Sequence, residues 1–368
     1  MPPRKYLIPV VALLALVPLA SIAAQASTDL RFSHLWSAGT DRGGPETKLF
    51  TLALATDGTL AFTRGSDAGA RQVTLMDSAG RLLSHLGGRG SGPGEFQAVF
   101  GLFFADVRLF ASGVGQISAF DRSGRHLFSR ALLPQLMPVA VHGDSVDLLD
   151  ASGFMTGRSL GEIRRRSLAL NGRDRTLVPA TDPAYRDLAR HPVDSSRFVR
   201  IAYAANGKQV VLANPFTYRM LAYDGNGTLQ RRFGRDLPLL RLTGSRLDAE
   251  VARNIEEARR PFRLPDGTYR QMPDRSAAIR REAAAPKLYF SVRDGGLFFG
   301  ATPGEVFVIE TATDVVHVVR FRGAATVTAA VPCDARGGNV ALAGRFLALT
   351  CATGGDTDGI ELRLYRMH

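Results

Sequence analysis

The residue types that could do chemistry are few and scattered along this chain. The histidines show no H-x-x-x-H pair that would suit a metal ion, and no Gly-x-Ser-x-Gly elbow marks a nucleophilic serine. The seven histidines are at positions 34, 85, 126, 142, 191, 317 and 368. Several aspartates could bind Ca²⁺, but they stand where strands open and are most simply turn residues: Asp57, Asp106, Asp144 and Asp294. The sequence therefore predicts no catalytic residue, no cofactor and no metal ligand.

A glycine-rich run, Gly87–Phe96, resembles a phosphate-binding loop at first sight. It lacks the Gly-Lys-Ser/Thr ending of a P-loop, and its spacing differs from G-x-G-x-x-G. We therefore predict a structural loop that connects one sheet to the next. Its defining residues are Gly90, Gly92, Pro93, Gly94, Glu95 and Phe96. The carboxylate of Glu95 is expected to bind backbone donors within the loop.

The N-terminal segment has the pattern of an export signal. Arg4 and Lys5 precede an apolar core, and Ala24-Gln25-Ala26 supplies a small-x-small cleavage pattern. The alternative is a membrane anchor, but the apolar run is shorter than the ~20 residues that span a bilayer. We predict cleavage after residue 26, no membrane span afterwards, and a location in the periplasm or outside the cell.

The chain is strongly basic, with a formal net charge of +12 that falls to +10 when the leader is removed. The excess comes mainly from dispersed arginines, which indicates a solvated basic surface or attraction to anionic partners. No basic run is interleaved with aromatic residues, so we predict no nucleic-acid binding.

Cys333 and Cys351 are the only two cysteines. Two thiols are too few for a structural zinc site, and an exported chain meets oxidising conditions. We predict that they form a disulfide within the last repeat.

Two strand patterns recur along the chain and give its architecture. One opens with an Asp, Asn or Gly turn, as at Asp57–Phe62, and the other ends in a polar turn, as at Val73–Gly80. A further apolar strand precedes each pair, so the unit has about four strands. The last two units are predicted to open with Leu288–Val292 and Thr326–Val331. Six four-stranded units predict an all-β, six-bladed propeller within residues 27–368.

The last unit supplies three strands before the chain ends. Residues 30–36 are β-rich and precede the first complete unit. Pairing them as the outer strand of the last blade would close the ring and cover an open edge.

The Gly90–Phe96 signature, together with the Asp-x-x-Gly hairpins at Asp77 and Asp121, resembles NHL-repeat six-bladed propellers, in particular exported bacterial ones of uncharacterised function. The resemblance implies the fold. It leaves the function open, because such propellers include binding modules, lyases and lactonases.

Two segments, 173–197 and 241–286, do not follow the β pattern. The second is predicted to form two helices between blades four and five, ended by Pro261 and Pro286. It carries arginines that could form a binding rim at the axial mouth: Arg259, Arg260, Arg280 and Arg281. The alternative is a solvated insertion.

The sequence favours a monomeric, non-enzymatic scaffold that binds a protein, peptide or glycan. The alternative is a metal-dependent hydrolase or lyase, of the lactonase or amidating-lyase kind, with ligands that converge at the axis. A third possibility is a structural subunit of an envelope complex.

Overall fold

The computed structural model describes residues 30–39, 48–65, 72–150, 159–190, 198–199, 201–214, 217, 219–234, 243–259, 262–263, 268–270, 273–284, 297–299, 305–311, 315–322, 325–333, 339–352 and 360–368. Six four-stranded antiparallel sheets account for most of them. The predicted six-bladed propeller is confirmed. We name each blade after its inner strand.

The β2 blade contains β2 (Lys48–Leu54), β3 (Leu60–Gly65), β4 (Val73–Met76) and β5 (Leu82–Leu86). The β6 blade contains β6 (Val99–Ala105), β7 (Arg108–Gly113), β8 (Gln116–Phe120) and β9 (His126–Ala131). The β10 blade contains β10 (Leu136–His142), β11 (Ser145–Asp150), β12 (Ile163–Ser167) and β13 (Asp174–Val178).

The β14 blade contains β14 (Ala202–Ala205), β15 (Gln209–Ala213), β16 (Arg219–Asp224) and β17 (Leu229–Gly234). The β20 blade contains β20 (Leu297–Phe299), β21 (Glu305–Thr311), β22 (Val315–Arg322) and β23 (Ala325–Pro332). The β24 blade contains β24 (Val340–Ala343), β25 (Phe346–Ala352), β26 (Ile360–Met367) and the N-terminal β1 (Phe32–Gly39).

The ring closes through β1, which pairs antiparallel with β26 from Phe32↔Met367 to Gly39↔Glu361. Trp36 on this strand donates its indole N–H to the carbonyl of Ser78 on the neighbouring β2 blade, at 3.1 Å. β1 and the C-terminal strand β26 are thereby held in one sheet, and Trp36 contributes to packing.

The inner strands contact one another in sequence around the axis, and β24 contacts β2 to complete the ring. Within the described residues, the buried apolar side chains form six clusters, each between two neighbouring blades. The core is therefore divided among the blade junctions, because each sheet buries both faces against its neighbours.

Strand assignment in the last third of the chain differs from the sequence analysis. Thr326–Val331 belongs to the outer strand of the β20 blade and does not open the final blade, which begins at Val340. Leu288–Val292 lies outside the described residues, and the β20 blade begins at Leu297. The reason is that β22 and β23 form a continuous hairpin, which completes that sheet before residue 333.

The 173–197 segment is also more regular than expected. It contains β13 and helix α1 (Pro183–Ala189), whose N-terminus is capped by the Asp182 carboxylate through the N–H of Tyr185. The second insertion contains α2 (Gly244–Arg259), α3 (Ser276–Ala284) and a short hairpin that the sequence did not indicate, β18 (Phe262–Arg263) with β19 (Tyr269–Arg270). No helix in the described part of the chain is long and apolar enough to cross a membrane.

The insertion follows β17 and precedes β20. Counted from the sheet that contains β1, it lies between the fifth and sixth blades, not between the fourth and fifth. The count shifts because the first strand of the chain belongs to the same sheet as the last three.

Candidate functional site

One face of the propeller carries the segments that lead from the outer strand of each blade to the inner strand of the next. We call it the connection face. It holds residues 87–98 between β5 and β6, residues 132–135 between β9 and β10, and helix α1. The strand ends between which the insertion lies, those of β17 and β20, are on this face as well. The turns between second and third strands return to this same face, because adjacent strands run antiparallel.

The glycine-rich loop is anchored on this face by Phe96, which is fully buried between the β2 and β6 blades. The N–H of Phe96 donates to the Gly88 carbonyl at 2.8 Å, and the N–H of Gly90 donates to the Phe96 carbonyl at 3.3 Å. The loop is therefore a folded connection with its own hydrogen bonds.

The Glu95 carboxylate accepts a hydrogen bond from the N–H of Gly92 at 2.9 Å. A Cβ atom at Gly90 would overlap this carboxylate, and one at Gly92 would lie 2.9 Å from it. The glycines leave space for the acid, and the Gln116 amide donates to the Glu95 carbonyl at 2.9 Å. This chemistry is internal to the loop and provides no site for a phosphate.

Next to this loop, the connection face exposes four large apolar side chains, which we call the apolar patch. Their exposed fractions are 64 % for Phe100, 58 % for Val114, 49 % for Leu133 and 37 % for Met137. A contiguous group of exposed apolar side chains marks a binding site more often than isolated exposed apolar side chains do.

Phe100 points outward because of a local irregularity in β6. The pairing of β6 with β7 runs from Val99↔Gly113 to Gly101↔Ser112, so Phe100 is the extra residue of a β-bulge. A bulge bends the strand and redirects one side chain. The flanking Val99 and Leu102 remain buried, and only the bulged residue is exposed.

Backbone hydrogen bonds hold the other members of the patch beside it. The N–H of Leu132 donates to the Gly115 carbonyl at 2.8 Å, which joins the turn containing Val114 to the connection containing Leu133. The N–H of Leu136 donates to the Leu133 carbonyl at 2.9 Å, which fixes the entry into β10. The apolar patch is thus displayed on a rigid support.

A second unusual group, the interblade polar cluster, lies near the opposite face between the β10 and β14 blades. It consists of His142, Asp147, Arg165 and Tyr203. The Asp147 carboxylate is fully buried and accepts two hydrogen bonds from Arg165, from Nε at 2.7 Å and from Nη2 at 2.9 Å. The Tyr203 hydroxyl donates to Oδ2 of Asp147 at 2.6 Å, and Nε2 of His142 lies 3.5 Å from Oδ1.

Arg165 extends this cluster across the junction by donating to the Gly207 carbonyl at 2.9 Å. Burial alone would lower the pKa of Arg165, but its hydrogen bonds with Asp147 and the charge of that carboxylate raise it overall. Burial raises the pKa of Tyr203 well above its usual value, and Asp147 adds to the rise. Burial lowers the pKa of His142, against the opposing effect of Asp147. These groups join the β10 and β14 blades through the ion pair of Asp147 and Arg165, which is shielded from water.

The sequence pattern alone did not indicate this cluster. Asp147 lies between Val146 and Leu148, which are apolar and fully buried. A carboxylate inside an apolar strand was the available signal that a buried polar partner exists. Its partner Tyr203 lies 56 residues further along the chain. No local spacing connects them.

The remaining predicted residues are spread over the fold. Cys333 and Cys351 form the predicted disulfide, with 5.2 Å between their Cα atoms. The bond does not lie within the last blade, because Cys333 follows β23 and precedes β24, so it joins the end of the β20 blade to β25 of the β24 blade. Arg259, Arg280 and Arg281 are exposed on α2 and α3, and Arg260 lies outside the described residues. Arg259 lies near Asp274 and helps to lower the pKa of that carboxyl, after the hydrogen bonds from Ser276. Their arrangement as an axial rim stays a prediction.

The aspartates that open the second strands have structural partners. Asp57 pairs with Arg122 of the next blade, and Asp144 accepts a hydrogen bond from Arg108 at 2.7 Å. Asp294 and His191 lie outside the described residues. Within the part of the chain that the structure describes, no three His, Cys, Asp or Glu side chains come close enough together to hold a metal ion.

No family model and no curated protein matches this chain. Among solved structures, it is similar to a member of the DUF4221 family from Bacteroides vulgatus, with a TM-score of 0.53 and 8 % identity over 92 % of this chain and 99 % of the other. It is also similar to virginiamycin B lyase from Staphylococcus aureus, with a TM-score of 0.42 and 10 % identity over 91 % and 99 % of the two chains. The first of these similarities shows a shared fold, and at 8 % identity it transfers no activity.

Proposed function

We propose that this protein is an exported propeller that binds a protein or peptide partner on its connection face. The observation that carries the proposal is the apolar patch formed by Phe100, Val114, Leu133 and Met137, which is exposed and held in place by backbone hydrogen bonds. Aromatic and methionine side chains are among the residues enriched at the centres of protein interfaces. A rigid support lowers the entropy cost of binding.

The chemistry of the patch favours a polypeptide over a glycan. Three of its four side chains are aliphatic, and a sugar would leave hydroxyl groups without partners against them. The net charge restricts the class of partner further, since a mature chain of net charge +10 attracts acidic segments at long range. We propose that the insertion lies over the same face, because the strands before and after it, β17 and β20, end and begin there. Its arginines would then add a basic rim. We propose a partner that presents apolar anchors flanked by acidic residues.

Three further proposals concern the location, the repeat family and the oligomeric state of the protein. The leader pattern at residues 1–26 and the disulfide between Cys333 and Cys351 both fit an oxidising compartment outside the cytoplasm. The NHL-repeat identity rests on the Gly90–Phe96 signature and the Asp-x-x-Gly hairpins. We propose that the mature protein works as a monomer, because its high net charge opposes self-association.

The test is a selection of peptides from a displayed library on the immobilised mature protein. Selected peptides are then measured against the double variant Phe100→Glu/Met137→Glu. The matched control is Leu82→Glu/Leu83→Glu, which adds the same charge at two exposed leucines on the outer strand β5. We expect apolar anchors with acidic flanks among the selected sequences.

We also expect a loss of affinity of at least tenfold for the patch variant, since a central anchor contributes about 1–3 kcal/mol. The control should bind within twofold of wild type. Equal binding by both variants would show that the apolar patch is not the binding site. Selective binding of oligosaccharides on a glycan array would contradict a polypeptide partner and indicate a sugar ligand.

A further inference from the structure

Within the described residues, the outer strand of each blade has one edge that pairs with no further strand, at the side of the propeller. These strands are β1, β5, β9, β13, β17 and β23. Exposed edges template pairing with other chains, and proteins prevent this with bulges, short strands or charged residues.

Five of the six outer strands are interrupted in this way. A register shift occurs where each pairs with its inner neighbour, between β1 and β26, β4 and β5, β8 and β9, β12 and β13, and β16 and β17. The pair β22–β23 has no shift and runs through eight consecutive partners, from Val315↔Pro332 to Arg322↔Ala325. β23 is therefore the regular outer strand among the six.

β23 also lacks charge. The other outer strands each carry a histidine or a charged side chain, for example His34 on β1, Arg130 on β9 and Arg231 on β17. The sequence of β23 is Ala-Thr-Val-Thr-Ala-Ala-Val-Pro, with no ionisable residue in eight. This edge therefore has no bulge, no charged residue and a length of eight residues, and its one proline is at the last position, Pro332.

The C-terminal end of β23 is held rigidly. The carbonyl of Pro332 accepts a hydrogen bond from Arg363 at 3.2 Å. The next residue, Cys333, is bonded to Cys351 of the β24 blade. A strand fixed in this way would lose little conformational entropy when another strand pairs with it.

We propose that β23 binds an extended segment of a partner protein as an added β-strand. Main-chain hydrogen bonds supply the affinity in this mode, and alternate side chains supply the selectivity. The neighbouring side chains Thr326 and Ala330 are small and exposed, so they leave space for β-branched residues on the added strand.

Charge at one end of β23 identifies the partner further. Arg322 is exposed opposite Ala325, and no ion-pair partner for it occurs within the described residues. An acidic residue at the end of the added strand would pair with this guanidinium. The occupant is thus an uncharged, β-branched segment with an acidic end. This surface is at the side of the propeller, and the inference stands independently of the apolar patch.

The probe is a fluorescein-labelled nine-residue peptide of alternating valine and threonine with a glutamate at each end. Its control is the same peptide N-methylated at alternate residues, which removes the main-chain donors of one edge. The protein variant is Thr326→Lys/Ala330→Lys. Its control, Leu83→Lys/Thr176→Lys, adds the same charge at exposed positions of two bulged outer strands, β5 and β13.

We expect saturable anisotropy with wild type and a loss of at least tenfold in affinity for the β23 variant or the N-methylated peptide. The control variant should bind within twofold of wild type. Amide hydrogen exchange should slow in residues 325–332 when the peptide is added. Absence of binding, or equal binding by the N-methylated peptide, would overturn the proposal. A concentration-dependent dimer that the β23 variant abolishes would overturn the peptide as occupant and assign the edge to a second copy.

Discussion

The interblade polar cluster makes a quantitative prediction through the substitution Asp147→Asn. The change keeps the shape of the side chain and removes its charge. Arg165 would then remain buried between two blades without its counter-ion, and Tyr203 would lose a charged acceptor. Removing one partner of a buried ion pair costs about 3–5 kcal/mol, because the other charge stays desolvated.

The matched control is Asp57→Asn. Asp57 also pairs with an arginine of the neighbouring blade, Arg122, but their side chains are 40 % and 44 % exposed. Exposed ion pairs contribute about 0–1 kcal/mol. Asparagine can also preserve the hydrogen bond that the Asp57 side chain accepts from the N–H of Thr59. The two variants therefore differ mainly in the burial of the pair.

The assay is equilibrium unfolding in urea, supported by thermal melting. For Asp147→Asn we expect a fall in melting temperature of roughly 6–10 °C, at about 2 °C per kcal/mol for a chain of this size. Tyr203→Phe should cost about 1.5–3 kcal/mol, as expected for a hydrogen bond to a charged group. If Asp147→Asn were no more destabilising than Asp57→Asn, burial of the Asp147–Arg165 ion pair would not stabilise the junction between the two blades.

Three further predictions concern stability. Burial lowers the pKa of His142, so its neutral form contributes stability above about pH 6.5, and this stability is lost as the pH falls through the folded-state pKa. Between pH 7 and pH 5, the melting temperature of the wild type should therefore fall more steeply than that of His142→Phe. Replacing Cys333 and Cys351 by serine should cost about 3 kcal/mol by the chain-entropy model, measured by urea unfolding against oxidised wild type, and an unchanged midpoint would contradict that. Deleting residues 30–39 removes β1 and leaves β26 with an open edge, so light scattering should detect aggregation that the full mature chain does not show.

Local patterns explain why the fold could be read from the sequence. At Asp77, Asp121 and Asp224, the side chain accepts a hydrogen bond from the N–H two residues later, and a glycine closes the turn. Each such turn is built from a few consecutive residues, so its signal survives without knowledge of the rest. The ends of the two helices in the insertion could be located from the prolines, since α2 ends at Arg259, two residues before Pro261, and α3 ends at Ala284, two residues before Pro286.

The assignment of strands to blades was less secure. The strand Thr326–Val331 is apolar and alternates as an inner strand would, yet it pairs with β22 at the outer edge of its sheet. Inner and outer strands of a propeller share the same period of two, and only their neighbours distinguish them. This is why the sequence indicated the number of blades but assigned this strand to the wrong one.

By itself, the sequence determined the repeat, the number of blades, the cysteine pair and the glycine-rich loop, because these depend on turn chemistry and alternation over short distances. Only the tertiary structure revealed the apolar patch, the interblade polar cluster and the regular edge of β23. Phe100 is exposed because a bulge forms where β6 meets β7. Asp147 is paired because Arg165 and Tyr203 reach it from a neighbouring strand and a neighbouring blade. The edge of β23 is regular because its hairpin with β22 has no bulge. Each depends on contacts between strands or blades, which no local pattern in the chain specifies.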